Sequence, residues 1–266
     1  MRSPGAALDL RASLVDELNT AVAALNDAAG EPKALHRCRV SIKRARALAR
    51  VGHACAPGLG VVFNDAARSV MRVLSQARDL DALVEAAQRT RKRARPKTAA
   101  ALDVLTLDIE RERAAAFQVA TEAAHTGLKD LLALAQVWPP ASPRQIRRGG
   151  KRVARRARDA FKAAYESTDA SVRHAWRRRE KDRLYAAEML KEQWPAPARL
   201  KTMAKLTDVL GRERDALLLL ERLEQTSVSP EGQKSAERLR RLLQEDARRL
   251  TRRANKLGAR LHRNGA

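Results

Sequence analysis

Ten prolines, at positions 4, 32, 57, 96, 139, 140, 143, 195, 197 and 230, stand at the edges of long stretches dominated by Ala, Leu, Arg and Glu. Proline lacks an amide donor and its ring clashes with the preceding helical turn, so it is kept out of helix interiors and tolerated at their first position. Between the prolines no run alternates β-branched with polar residues, as a half-buried strand would require. The chain is therefore expected to be all-α, a helical bundle. The punctuation predicts helices at about 7–28, 33–54, 60–75, 79–94, 98–136, 143–167, 171–193, 198–210, 214–226 and 231–262. Ser142 is placed to cap the helix that Pro143 opens. Within that helix Gly149 and Gly150 each cost about 1 kcal/mol relative to alanine, and a bend or fraying is expected there.

The same punctuation contains a repeat. Val73 to Glu85, VLSQARDLDALVE, is similar to Val209 to Glu221, VLGRERDALLLLE, and an Arg-Asp pair falls at the same offset in each. Asp79 follows His36 by 43 residues and Asp215 follows His174 by 41. Two copies of one helical unit are expected, over about 7–136 and 143–263, within one domain spanning 1–266.

Charge narrows the partner. Lys+Arg number 54 against 31 Asp+Glu, a formal net charge of +23, where a small domain needs about 2 to 8 for solubility. Aromatic residues make up only 3%, so the platforms on which proteins stack single-stranded bases are scarce. A ligand recognised through its phosphates fits this composition better than one recognised through its bases. Cys38 and Cys55 are too few for a disulfide framework and lack zinc-binding spacing, and both are read as buried or neutral thiols. In the first eighteen residues Asp9 and Arg11 interrupt any apolar run, so no secretory signal is expected. No stretch reaches the ~18 apolar residues that span a bilayer, and a cytoplasmic protein with no membrane partner is expected.

The cations are patterned. Counted at about 100° per residue from His36, Arg39, Lys43 and Arg46 share an ~80° stripe with it. That stripe borders the face of Leu35, Cys38, Ile42, Ala45 and Ala49 instead of opposing it. His174, Arg177 and Lys181 repeat the spacing, with Arg178 and Tyr185 just beyond. Arginine grips two phosphate oxygens, lysine supplies a mobile charge, and histidine gains charge when a polyanion raises its pKa. A lone histidine is most often a satisfied structural one, but recurrence at equivalent positions favours a shared role. On the helix from Pro143, Arg144, Arg147, Arg148, Lys151, Arg152, Arg155 and Arg156 form one basic face, opposite the core positions Ile146, Val153 and Ala157. Arg249, Arg252, Arg253, Lys256, Arg260 and Arg263 repeat this spacing near the end.

H-x-x-R-x-x-x-K-x-x-R at His36 to Arg46, H-x-W-R-x-x-x-K-x-x-x-Y at His174 to Tyr185, and the Arg-Asp pairs Arg78-Asp79 and Arg214-Asp215 resemble the CHAD family over nearly the whole chain. These are all-helical domains named for their histidines. The resemblance implies two pseudo-symmetric four-helix bundles around a central basic channel that binds long-chain inorganic polyphosphate without catalysis. It carries a phosphate-binding role to His36, Arg39, Lys43, Arg46, His174, Arg177 and Lys181. Arg78 and Arg214 are implied neighbours, and Lys201, Lys205 and Arg212 line the rim of the second half. Leu184 stands where the second copy would match Arg46, which leaves Arg178 or Arg183 to replace it, and Ser75 stands where Gly211 is in the second copy. Association with polyphosphate granules is the corresponding expectation for location.

Other readings stay beside this one. The net charge equally allows a nucleic-acid-binding or architectural protein contacting phosphate backbones, and general basicity allows weak nucleic-acid binding in any case. An enzyme that cleaves phosphoanhydrides would recruit magnesium through carboxylates or a phosphate loop. No G-x-x-x-x-G-K-[ST] and no acidic cluster within the basic helices is present, so no catalytic residue, metal or cofactor is expected. Asp79 and Asp215 are read as capping a helix or orienting arginines at a turn, Arg89 to Lys97 as a solvated linker or polyanion tail, and Trp138, Trp176 and Trp194 as core or turn anchors. Oligomeric state has no signature.

Overall fold

A computed structural model describes residues 8–27, 33–165, 167, 169–226 and 232–262, with side chains except those of 76–79, 97 and 113–121. Among the described residues the chain is all-α and contains no strand. Its α-helices are α1 (Leu10–Asn26), α2 (Ala34–Gly52), α3 (Pro57–Val73), α4 (Ser75–Arg91), α5 (Pro96–Gln136), α6 (Pro143–Tyr165), α7 (Ala170–Leu190), α8 (Leu200–Gln225) and α9 (Gln233–His262), with a 3₁₀ turn at Lys191–Gln193.

The starts are chemically specified. Pro57, Pro96 and Pro143 open α3, α5 and α6, where a missing amide donor costs nothing. The Asp9 carboxylate accepts the Ala12 amide at α1, and that of Asp169 accepts the Ser171 amide at α7. At α6 the Ser142 hydroxyl accepts the Gln145 amide at 3.3 Å while Gln145 Oε1 accepts the Ser142 amide at 2.8 Å, a reciprocal capping box.

Two readings of helix interiors are corrected. The helices expected at 198–210 and 214–226 are one continuous α8, because Gly211 weakens a helix without removing any of its hydrogen bonds. The expected bend at Gly149 and Gly150 is instead a site of close approach. Both glycines are buried, and a β-carbon on Gly149 would stand 2.1 Å from the Val51 carbonyl oxygen. A β-carbon on Gly150 would press on Pro195 and Leu190. Gly149 lets α6 lie directly against the end of α2, and Gly150 lets it lie against the end of α7 and Pro195.

The chain divides into two compact units. One is built from α1, α2 and α3, the part of α5 from Val119, α6, α7 and the start of α8 up to Ala204. Its core includes Leu14, Leu18, Ile42, Leu48, Phe63, Trp138, Ile146 and Trp176, all fully buried. The indole anchors read from the sequence are buried, and Trp138 meets Phe63 edge to face at 5.7 Å. The other unit is built from α4, α5 up to Gln118, α8 from Lys205, and α9, around Leu80, Leu102, Leu105, Ile109, Leu219, Leu239 and Leu243.

Candidate functional site

Within the first unit α2 packs against α1, α3, α6 and α7. An Arg50 guanidinium nitrogen stands 3.0 Å from the Asp182 carboxylate, Arg46 lies near Arg178 and Asp182, and Arg44 acts on the Tyr185 phenol. As the α2 number falls from 50 to 44 the α7 number rises from 178 to 185, so the two helices run antiparallel where they touch. His36, in the first turn of α2, and His174, in the second turn of α7, therefore stand at opposite ends of the pair. At about 1.5 Å per residue that is roughly 30 Å apart.

Between those ends the cations crowd. The Arg46 guanidinium is pushed down to about 10, first by burial and then by Arg50, Arg68 and Arg178, with Asp182 opposing. Its Nε is buried without a hydrogen-bond partner. Arg50 is lowered by burial and by Arg179, Arg156 and Arg178, again with Asp182 opposing. Arg156 of α6 is lowered by burial, Arg179, Arg152 and Arg155. Asp182 carries most of the compensation, held between Arg50 at 3.0 Å and Arg179 at 3.5 Å. One carboxylate thus serves arginines from α2, α6 and α7. Arg46, Arg50 and Arg179 are half-buried at the centre of this group, with Arg156, Arg178 and Arg68 exposed around them and Arg68 paired with Asp65 at 3.1 Å. So little counter-charge at the half-buried centre is costly when empty and is relieved by an anion of several charges.

The predicted residues divide by place. His36 is exposed, and Lys43, Arg46, His174, Arg177 and Lys181 are half-buried along α2 and α7. Lys181 leans its ammonium 5.6 Å from the Tyr185 ring centroid. Arg39 is buried, and its Nη1 donates to the Met71 carbonyl at the end of α3. It therefore satisfies one of the carbonyls that a helix end leaves open. Of the two replacements considered for the missing arginine, Arg178 joins the cluster around Arg46. Arg183 is half-buried beside Glu180 and near Arg158. Lys201 is exposed at the start of α8 in the same unit. Lys205, Arg212 and Arg214 belong to the other unit, as does Arg78, whose side chain lies outside the described residues.

In that other unit α4, α8 and α9 enclose a cleft of about 360 Å³ lined by Arg89, Lys92, Arg93 and Arg212 above a floor of Ala86, Ala216, Leu219 and Leu250. Here two of the four cations are paired with carboxylates. Arg89 donates to Asp215 at 2.6 Å, and Asp246 receives Arg93 through both oxygens and Arg249 at 2.7 Å. Of the two roles considered for Asp215, it orients an arginine, Arg89 of α4, and, lying in the interior of α8, caps no helix, while Asp79 lies outside the described side chains. The Arg89 to Lys97 segment is stitched to α8 and α9 instead of being a bare linker.

The sequence reading missed Arg50, Arg68, Arg156, Arg179 and Asp182. Arg50 was within reach, because it extends the His36, Arg39, Lys43, Arg46 spacing by one further step of four. Arg156 and Arg179 become part of the cluster only through the packing of α6 on α2 and α7. Cys38 is buried and free, its thiol pushed up to about 12 by burial, and Cys55 is also free. Among the described residues no group of three or more His, Cys, Asp or Glu could hold a metal ion, and no helix is long and apolar enough to cross a membrane.

Against known proteins, the family model described as the CHAD domain matches residues 12–224. No curated protein matches the chain. The crystal structure of the CHAD domain from the plant Ricinus communis superposes with a TM-score of 0.65 at 21% identity, over 98% of this chain and 96% of that one. PptA from Streptomyces chartreusis superposes with a TM-score of 0.70 at 18% identity, over 94% and 98% respectively. At these identities the likeness speaks for the fold alone.

Proposed function

The chain belongs to the CHAD domain family, and on that premise we propose that it binds long-chain inorganic polyphosphate along α2, α6 and α7 without turning it over. The observation that carries this reading is Arg46, half-buried among Arg50, Arg68 and Arg178 with Asp182 as the opposing charge. A flexible single chain carrying a charge on every unit can enter such a crowded place. A duplex, wide and stiff, meets only exposed phosphate-binding cations. The residues bound to phosphate are then His36, Lys43, Arg46, His174, Arg177, Arg178 and Lys181, joined by Arg50 and Arg156. We extend the reading to a cytoplasmic protein located on polyphosphate granules.

Filter binding of labelled long-chain polyphosphate in the presence of duplex DNA or RNA at equal phosphate concentration tests this. Retention of polyphosphate against excess competitor is expected, and its displacement would establish the nucleic-acid reading instead. Incubation with magnesium or manganese should release no phosphate, and release would make the protein an enzyme.

A further inference from the structure

We infer that the outer face of α6 continues this site, as a track over which the same polyphosphate chain runs after leaving the half-buried cluster. The inference rests on the polyphosphate reading and adds to it a region of the protein and a dependence on chain length. Arg144, Arg147, Arg148, Lys151 and Arg155 are all exposed on one side of α6. From Arg144 to Arg156 they span about 18 Å at the rise of an α-helix. No carboxylate occurs in the sequence until Asp159.

Some exposed arginines elsewhere stand beside acids: Arg37 by Asp27, Arg91 by Asp103, Arg241 by Glu237. Arg252, Arg253 and Lys256 on α9 are exposed with no ion pair among the described residues as well, but they belong to the other unit and not to the one that holds Arg46. Among the described residues the α6 cations from Arg144 to Arg156 make no ion pair. Their spacings of three and four bring like charges together on the helix surface, which disfavours the helix unless an anion covers them.

Continuity decides the occupant. Arg156, at the inner end of the stripe, lies within electrostatic reach of Arg179 and Asp182 of the cluster and of Arg152 and Arg155 on its own helix, so the exposed face joins the cluster directly. A duplex laid on α6 would cover the stripe but leave Arg46 unreached. A single polyphosphate strand covers both, and each added contact releases counterions and raises effective concentration at the next.

The experiment compares the wild-type chain with a quadruple variant, Arg144→Gln, Arg147→Gln, Arg148→Gln and Lys151→Gln, using tripolyphosphate and a polyphosphate of about 100 units as probes between about 50 and 200 mM salt. Losing four contacts should lower the log–log salt slope for the long chain by about 3, at ~0.7 per contact on a single strand. Long-chain affinity should fall at least about tenfold at the lower salt, with tripolyphosphate binding changed less than about twofold. A companion variant with Arg144→Lys, Arg147→Lys and Arg148→Lys keeps the charge and should keep the wild-type slope. Unchanged long-chain binding in the glutamine variant, or equal loss for both probes, overturns the track. Loss of the slope in the lysine variant overturns its electrostatic basis. A wild-type protein that binds neither probe removes the polyphosphate reading itself.

Discussion

At the scale of single residues the site is an imbalance with a sign. The pKa of Arg46 falls on folding to about 10, so the native state binds that proton less tightly than the unfolded chain. Its charge therefore works against the fold at every pH below about 10, and the cost lifts only as pH rises past that value. Arg46→Met keeps the stem and removes the charge, so the ligand-free protein should gain about 1–2 kcal/mol while polyphosphate affinity drops. Asp182→Asn should do the reverse: the free protein loses about 1–3 kcal/mol with its ion pairs to Arg50 and Arg179, and polyphosphate binds more tightly because an internal competitor is gone. Melting curves with and without polyphosphate read both. A wild-type-like or lower melting temperature for the methionine variant, with weaker binding for the asparagine variant, would make the cluster a self-satisfied structural network. Arg39 belongs on the other side of this line, since its bond to the Met71 carbonyl makes Arg39→Ala a stability variant before it is a binding one. Cys38 shows burial without function: with its thiol near 12, roughly one molecule in 10⁴ is thiolate at pH 8. A thiol reagent should leave it intact in the folded protein and modify it after denaturation, and fast native-state reaction would disprove its burial.

At the scale of elements, the position of α6 depends on a missing atom. Gly149→Ala gains about 1 kcal/mol of helix propensity, yet its β-carbon meets backbone at Val51, which cannot rotate away. A net loss of about 3 kcal/mol is expected in chemical denaturation, whereas Gly58→Ala on α3, with nothing within 4 Å, should gain up to about 1 kcal/mol. Equal stability of the two variants would mean that α6 does not lie against α2 as described. This contact marks the limit of what the sequence disclosed. Proline at the first helical position, the Ser142 cap and the cationic border of the α2 core face are local patterns, and each was legible. The glycine pair was visible but read as weakness, because a period of 3.6 tells which face is buried and not how near the neighbouring backbone comes. Arg156 was legible only as part of the basic face of its own helix, and Arg179 had no signal, for the same reason: their partners sit on other helices. Asp215 and Asp246 follow suit, acquiring arginines from across α4, α8 and α9. Burial alone would raise the Asp246 carboxyl, but the donors on Arg93 and Arg249 outweigh it and hold it below its usual value. Its contribution to stability is therefore present above about pH 4 and lost as pH falls through the depressed native value. Asp246→Asn should cost about 1–2 kcal/mol at neutral pH and flatten acid unfolding in that window. An unchanged acid limb would mean the pairs with Arg93 and Arg249 contribute nothing net.

At the scale of the whole molecule, a net charge of +23 gives salt two opposite effects. Added ions screen the repulsion among the free protein's cations, within a Debye length of about 10 Å at 0.1 M, and so favour the compact state. The same ions compete for phosphate contacts, and 6 to 10 such contacts would cost about 10³ to 10⁵ in affinity between 50 and 200 mM salt. Melting temperature without ligand should therefore climb as sodium chloride rises over this range, while the extra stabilisation given by a fixed concentration of polyphosphate shrinks, because ligand stabilisation follows the ratio of concentration to Kd. The two melting curves should converge at high salt. Neither trend alone is diagnostic, since many basic proteins gain from screening and any polyanion is displaced by salt. Their convergence joins them: the repulsion that salt relieves and the attraction that salt weakens arise from one set of side chains. If the ligand-free melting temperature is flat with salt while polyphosphate still binds with a steep slope, the cations are not crowded when empty. Binding would then come from well-separated surface charges and not from the crowded cations of α2, α6 and α7.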